Sequence, residues 1–130
     1  MPAEEQTRRL IRAVSHPRVH FWAHPTGRLI NRREPYPFDF DAVVEAAVAN
    51  GVAVELNCLP DRLDLKDTLL IRARELGAQV VINTDAHAPQ DLDLMSYGVE
   101  QARRAWLGAD AVVNTKPLPA FDTWLRKGRA

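Results

Sequence analysis

Apolar positions along the chain follow two alternating rhythms. Leu10, Ile11 and Val14 recur at near-helical spacing behind Pro2 and two glutamates, which predicts a first helix over about residues 3–15, ended by Pro17. The run VHFWA, residues 19–23, then reads as a short strand. Beyond a polar loop, Asp39 or Asp41 can cap a helix whose apolar stripe is Val43, Val44, Ala47 and Val48, and Gly51 can end it in the left-handed conformation. VAVELN, residues 52–57, is the next strand.

The same rhythm repeats. A helix around residues 66–76 is expected to bury Leu69, Leu70, Ala73 and Leu76 and to stop at Gly77, leading into the strand QVVIN, residues 79–83. Met95, Val99, Ala102 and Trp106 are spaced by four, three and four residues, which predicts another amphipathic helix. AVVN, residues 111–114, reads as a last short strand and LPAFDTWLRKG, residues 118–128, as a closing helix. Strand, loop, helix and glycine stop in succession imply right-handed crossovers and an α/β fold of parallel strands covered by helices. Trp22, Trp106 and Trp124 are expected to pack in the core or between helices.

In such folds, sites lie beyond the carboxyl ends of the strands, where loops diverge on a fixed sheet. His24 follows the first strand, Asn57 ends the second, and Asp85 and His87 follow the third. All four fall at carboxyl ends.

With 130 residues, 46% of them hydrophobic and 26% charged, the chain has the size and composition of one globular domain over residues 1–130. Seventeen basic and seventeen acidic residues balance, so any binding of anions must be local. The single cysteine, Cys58, excludes an internal disulfide and reads as a small core residue. No apolar run reaches the roughly 20 residues of a membrane span, and the amino terminus lacks the apolar stretch of a signal peptide. A cytoplasmic chain without membrane contact is expected.

Asp-x-His just past a buried strand places a carboxylate and an imidazole at one rim, a donor pair suited to Mn²⁺, Zn²⁺ or Fe²⁺. Arg28, Arg32 and Arg33 lie within ten residues of His24 and could make charge-assisted contacts to a phosphate. Glu55 and Asn57 alternate with Val54 and Leu56 and so share a face, from which they could support a ligand rather than ligate. His20 lies on the strand with His24, but four strand residues separate them by roughly 13 Å, too far to share a metal. His16 and His20 are read as structural.

Taken in order, HPTGRLINRREPYPFD, VAVELNCLPDRLDL and VINTDAHAPQDLDLMSYGVEQARRAWLGADAVVNT resemble consecutive motifs of the polymerase and histidinol phosphatase (PHP) family. They look most like the C-terminal half of the PHP domain of bacterial family X DNA polymerases, from about His16 to Arg126. The resemblance implies the second half of a distorted seven-stranded β/α barrel, with His24, Asp85 and His87 as ligands of different metals in one cluster. It further implies a metal-dependent phosphoesterase acting as a 3′ to 5′ exonuclease at DNA 3′ ends, in which metal-activated water attacks a phosphodiester.

The family's first half supplies an N-terminal His-x-His, further histidines and a bridging glutamate, and no His-x-His occurs in this sequence. The isolated chain is therefore expected to hold an incomplete cluster. It would complete its barrel with a complementary PHP half, associate with itself through open strand edges, or belong to a larger enzyme. The alternative is a non-catalytic PHP remnant serving as an interaction module. A barrel metallohydrolase of the amidohydrolase type shares late-strand His and Asp ligands, but HPTGR and LPDRLDL argue against it.

Overall fold

Three short parallel strands in the order β1-β2-β3 form the sheet of a computed structural model that describes residues 1–126. β1 is Phe21–Trp22, β2 Ala53–Asn57 and β3 Val80–Asn83, and five helices surround them: α1 Ala3–Val14, α2 Phe40–Ala49, α3 Asp67–Glu75, α4 Met95–Arg104 and α5 Leu118–Leu125. Phe21 and Trp22 align with Ala53 and Val54, and Val54 to Asn57 align with Val80 to Asn83. The fold is α/β with parallel strands covered by helices, as the rhythm of the chain implied, and it is consistent with the partial β/α barrel that the resemblance implied. Residues 127 and 128 of the expected closing helix lie outside the described residues.

Strand alternation sorts the sheet into two unlike faces. Trp22, Val54, Leu56, Val80 and Ile82 point to one side and join Val14, Val43, Val44, Ala47, Leu70, Ala73 and Ala102 from α1 to α4 in the main core. Full burial of a side chain such as Leu56 or Leu70 stabilises the fold by about 2 kcal/mol. Asp39 caps α2 by accepting the Ala42 N–H at 3.0 Å, and Gly51 follows it at φ +63°. Val48 and Val99 are about two-fifths exposed, so they edge their helical stripes rather than fill them.

The opposite face is apolar near the amino ends of the strands and polar near the carboxyl ends. Ala53, Val81 and Val113 pack there against Phe121 and Trp124 of α5. His20 helps to seat this helix, its Nε2 lying 2.6 Å from the Leu125 carbonyl. Farther along the same face stand Glu55, Asn57 and Asn83. A closed barrel would turn this surface inward.

Two expectations fail for local reasons. Trp106 is 79% exposed because it occupies the left-handed position after α4, φ +61°, which swings its side chain off the stripe. AVVN forms two 3₁₀ turns in place of a strand, leaving a single parallel bridge between Val80 and Val112. Asn114 supplies what the strand would have: its Oδ1 accepts the Ile82 N–H at 3.1 Å and its Nδ2 donates to the Ile82 carbonyl at 2.6 Å. The β3 edge is thus covered, not open.

Cys58 is fully buried, and burial pushes its thiol up to about 11, so it remains protonated. It faces Gly98 of α4, where an added Cβ would stand 2.3 Å from Cys58 Sγ and 2.6 Å from Ile82 Cγ2. Gly98→Ala should therefore destabilise the fold by about 2 kcal/mol through overpacking, with partial recovery in the Cys58→Ala double variant. Urea titration measures both, and an unchanged midpoint for Gly98→Ala would remove this helix–sheet contact from the account.

Candidate functional site

Because β1, β2 and β3 run parallel, the loops after them converge on one rim. Their polar residues form a continuous hydrogen-bonded set. Glu55 is buried, and its Oε1 accepts the backbone N–H of His24 at 2.9 Å and the Asn57 amide at 3.1 Å, while Oε2 accepts the Asn83 amide at 2.9 Å. These three donors compensate a carboxylate taken out of water. Asn57 also donates to Asp85 Oδ2 at 3.1 Å, and its Oδ1 accepts the Leu59 N–H at 3.0 Å.

His24 and Asp85 both carry left-handed backbone, φ +29° and +54°, two residues beyond the ends of β1 and β3. Such conformations are unfavourable for residues with a Cβ and persist only where the surroundings impose them. Glu55 imposes the first by gripping the His24 amide. The His87 ring places Nδ1 2.7 Å from the Asp85 carbonyl. A carbonyl only accepts, so Nδ1 carries a proton, and in the neutral form of this exposed imidazole Nε2 is the acceptor nitrogen. Asp91 Oδ2 accepts the His87 and Ala88 N–H groups at 3.0 and 3.1 Å and so shapes this turn.

Arg62, which periodicity did not single out, stands beside Asp85 with Nε 4.0 Å from Oδ2. Its Nη1 is buried without a hydrogen-bond partner among the described residues. Arg62 also lines a cleft of about 440 Å³ with His24, Gly27, Arg33, Tyr36 and Trp22. Arg28 is engaged by the backbone: Nε donates to the Arg62 carbonyl at 2.7 Å and a terminal nitrogen donates to Leu63. Burial lowers its pKa against the pull of Asp64 and Asp67. Arg33 Nε donates to the Gly27 carbonyl at 2.8 Å, and exposed Arg32 pairs loosely with Asp61 at 3.8 Å.

Asp64 is the second residue that the sequence did not reveal. It is fully buried, and it accepts the Thr26 hydroxyl at 2.8 Å and the Thr26 and Gly27 N–H groups at 3.0 Å each. It thereby fastens the loop after β1 to the loop after β2. The antiparallel bridge between Asn57 and Asp64 closes that second loop.

The structure thus brings Glu55, Asn57, Asn83, Asp85 and Arg62 into one network, with His24 and His87 attached to it through backbone. It does not draw His24, Asp85 and His87 together: among the described residues, no three His, Cys, Asp or Glu side chains converge to hold a metal ion. By themselves these donors do not fit a metal site, since a catalytic zinc needs about three protein ligands.

A three-stranded parallel sheet with a polar network at its carboxyl rim is consistent with part of a β/α barrel. Comparison with known proteins agrees in kind. The chain is 42% identical over 120 residues to the DNA polymerase/3′-5′ exonuclease PolX of Bacillus subtilis, an alignment covering 92% of this chain and 21% of that protein. It is 27% identical over 121 residues to a probable phosphatase of Syntrophotalea carbinolica, covering 87% and 48%. A probable phosphatase of Thermoanaerobacter sp. strain X514 is 25% identical over 118 residues, covering 86% and 46%. The chain spans about a fifth of the polymerase and about half of each phosphatase. No protein-family model matches. The resemblance to a PHP domain, most like that of bacterial family X polymerases, therefore stands.

Among the described residues, no helix is long and apolar enough to cross a membrane.

Proposed function

We infer that the chain supplies one part of a PHP-type phosphoesterase site, with Asp85, His24 and His87 as ligands of a divalent metal cluster whose remaining ligands come from elsewhere. DNA 3′ ends are the proposed substrate. The observation that carries this reading is the network from His24 through Glu55 and Asn57 to Asp85, which fixes two prospective ligands in strained backbone at one rim. The PolX exonuclease and probable phosphatases among the relatives support it. So does the tautomer of His87, which leaves a lone pair on Nε2.

A second reading, a non-catalytic interaction module, is favoured by the lack of a three-donor cluster among the described residues. Metal content separates the two. The chain alone, purified without a histidine tag and dialysed against metal-free buffer, is expected to retain little Mn, Zn or Fe by mass spectrometry. Mixed with a polypeptide carrying the first half of a PHP barrel, it should retain stoichiometric metal and hydrolyse a 3′-labelled oligonucleotide. A mixture that assembles yet holds no metal and cleaves nothing would leave the interaction module as the answer.

A further inference from the structure

Behind the rim lies a second cleft, of about 220 Å³, lined by Arg28, Arg33, Lys66, Asn31 and Glu34. Three cations face one carboxylate there, in a chain whose formal charge is zero. The neighbouring carboxylates have other partners, Asp61 with Arg32 at 3.8 Å, Asp67 with Arg104 at 3.1 Å and buried Asp64 with Thr26 and Gly27, although Asp64 and Asp67 also act on Arg28 through their charge. Lys66 makes no ion pair among the described residues.

The cleft is built in advance. Leu29 and Arg33 form an antiparallel bridge, their two backbone N–H···O bonds measuring 3.0 and 2.8 Å, with Asn31 turning the chain at φ +64°. The Ile30 N–H donates to the Asp61 carbonyl at 2.7 Å, which ties this tight hairpin to the next loop. Arg33 is anchored through Nε on the Gly27 carbonyl, and Arg28 through Nε on the Arg62 carbonyl and one terminal nitrogen on the Leu63 carbonyl, so Arg33 and Lys66 carry most of the free donors. Anchored guanidiniums lose little further freedom when an oxyanion arrives, which favours bidentate phosphate contacts. Arg33 lines both this cleft and the larger one that holds His24 and Arg62.

We propose that the Arg28, Arg33 and Lys66 cleft binds a second backbone phosphate of a single nucleic-acid strand whose terminal phosphodiester lies at the rim, with Arg33 bridging the two positions. This deepens the phosphoesterase reading and rests on it: the substrate is a strand, not a small phosphate monoester. A monoester has no second phosphate to reach the cleft. A strand gains its affinity through counterion release, so neutralising the rim phosphate and the cleft phosphate gives a slope of log Kd against log salt of about 1.4.

Fluorescence anisotropy on the full chain, with labelled oligothymidylate and with labelled thymidine 5′-monophosphate, tests this. Arg33→Gln/Lys66→Gln should weaken oligonucleotide binding about tenfold or more at low salt and reduce the slope by about 0.7, while Lys66→Glu, which spares the bridging arginine, should leave mononucleotide binding unchanged. Lys66→Glu keeps the test independent of the loop that Arg33 anchors, since Lys66 is exposed. Both variants binding the oligonucleotide with wild-type affinity and slope would overturn the proposal, as would a wild-type chain that binds it no better than the mononucleotide. Oligonucleotide binding of the expected kind without turnover in the mixed complex would count against the phosphoesterase reading alone.

Discussion

Asp85→Ala is expected to abolish phosphoesterase activity of the reassembled site while leaving the fold intact. Asp85 begins the turn beyond β3, only partly buried, and its carboxylate holds no core element in place. It accepts the Asn57 amide and offsets the charge of Arg62 at 4.0 Å. Asp85→Asn is the sharper variant, because an asparagine oxygen can still accept from Asn57 and only the charge is lost. For it the expected fall in kcat/KM is at least roughly 100-fold, the scale seen when residues that merely support a metal are changed. Circular dichroism should match the wild type, and bound metal should fall in the mixed complex. An Asp85→Asn complex that turns over at the wild-type rate would exclude this carboxylate from the chemistry.

What the sequence made legible follows from short-range physics. The stripe of Val43, Val44 and Ala47, the Asp39 cap and the Gly51 stop are properties of one helix and its ends, and the apolar runs of β2 and β3 are properties of buried strands. The location of His24, Asn57, Asp85 and His87 at one rim then needed only parallel strands. The Glu55 contacts were less legible. The shared face with Asn57 suggested only that Glu55 supports a ligand, and its actual donors are two amides and a backbone N–H from three segments.

Arg62 and Asp64 escaped notice for a related reason. Both sit in LPDRLDL, where no helical or strand period applies, and their roles depend on a loop folding back to meet residues about 20 to 40 positions away. The available signal was the burial implied for Leu65, which flanks an acid in a loop that must turn beneath the rim. Arg28 shows the converse. Its spacing from His24 suggested a free phosphate ligand, yet the loop carbonyls claim much of its guanidinium.

Asp64 carries the largest expected effect on stability. Asp64→Ala would leave the Thr26 hydroxyl and the Thr26 and Gly27 N–H groups without their acceptor in a buried setting, a loss of about 3 kcal/mol. The loop from Pro25 to Tyr36 would loosen with it, since Gly27 at φ +66° packs so closely on Tyr36 that a Cβ would meet the ring at 2.7 Å. Burial raises the Asp64 pKa above its ordinary 3.8, against the donors of Thr26 and Gly27 and the charge of Arg28. The native state therefore binds this proton at higher pH than the unfolded chain does. The contribution is full below pH 3.8 and is lost as pH rises through the folded value. Asp64→Asn lacks this titration, so the stability difference between wild type and Asp64→Asn should widen as pH falls from neutral toward 4, measured by urea titration at each pH. A difference that narrows on acidification would mean that the hydrogen bonds to the ionised carboxylate outweigh its burial, and that Asp64 holds the loop as a charge.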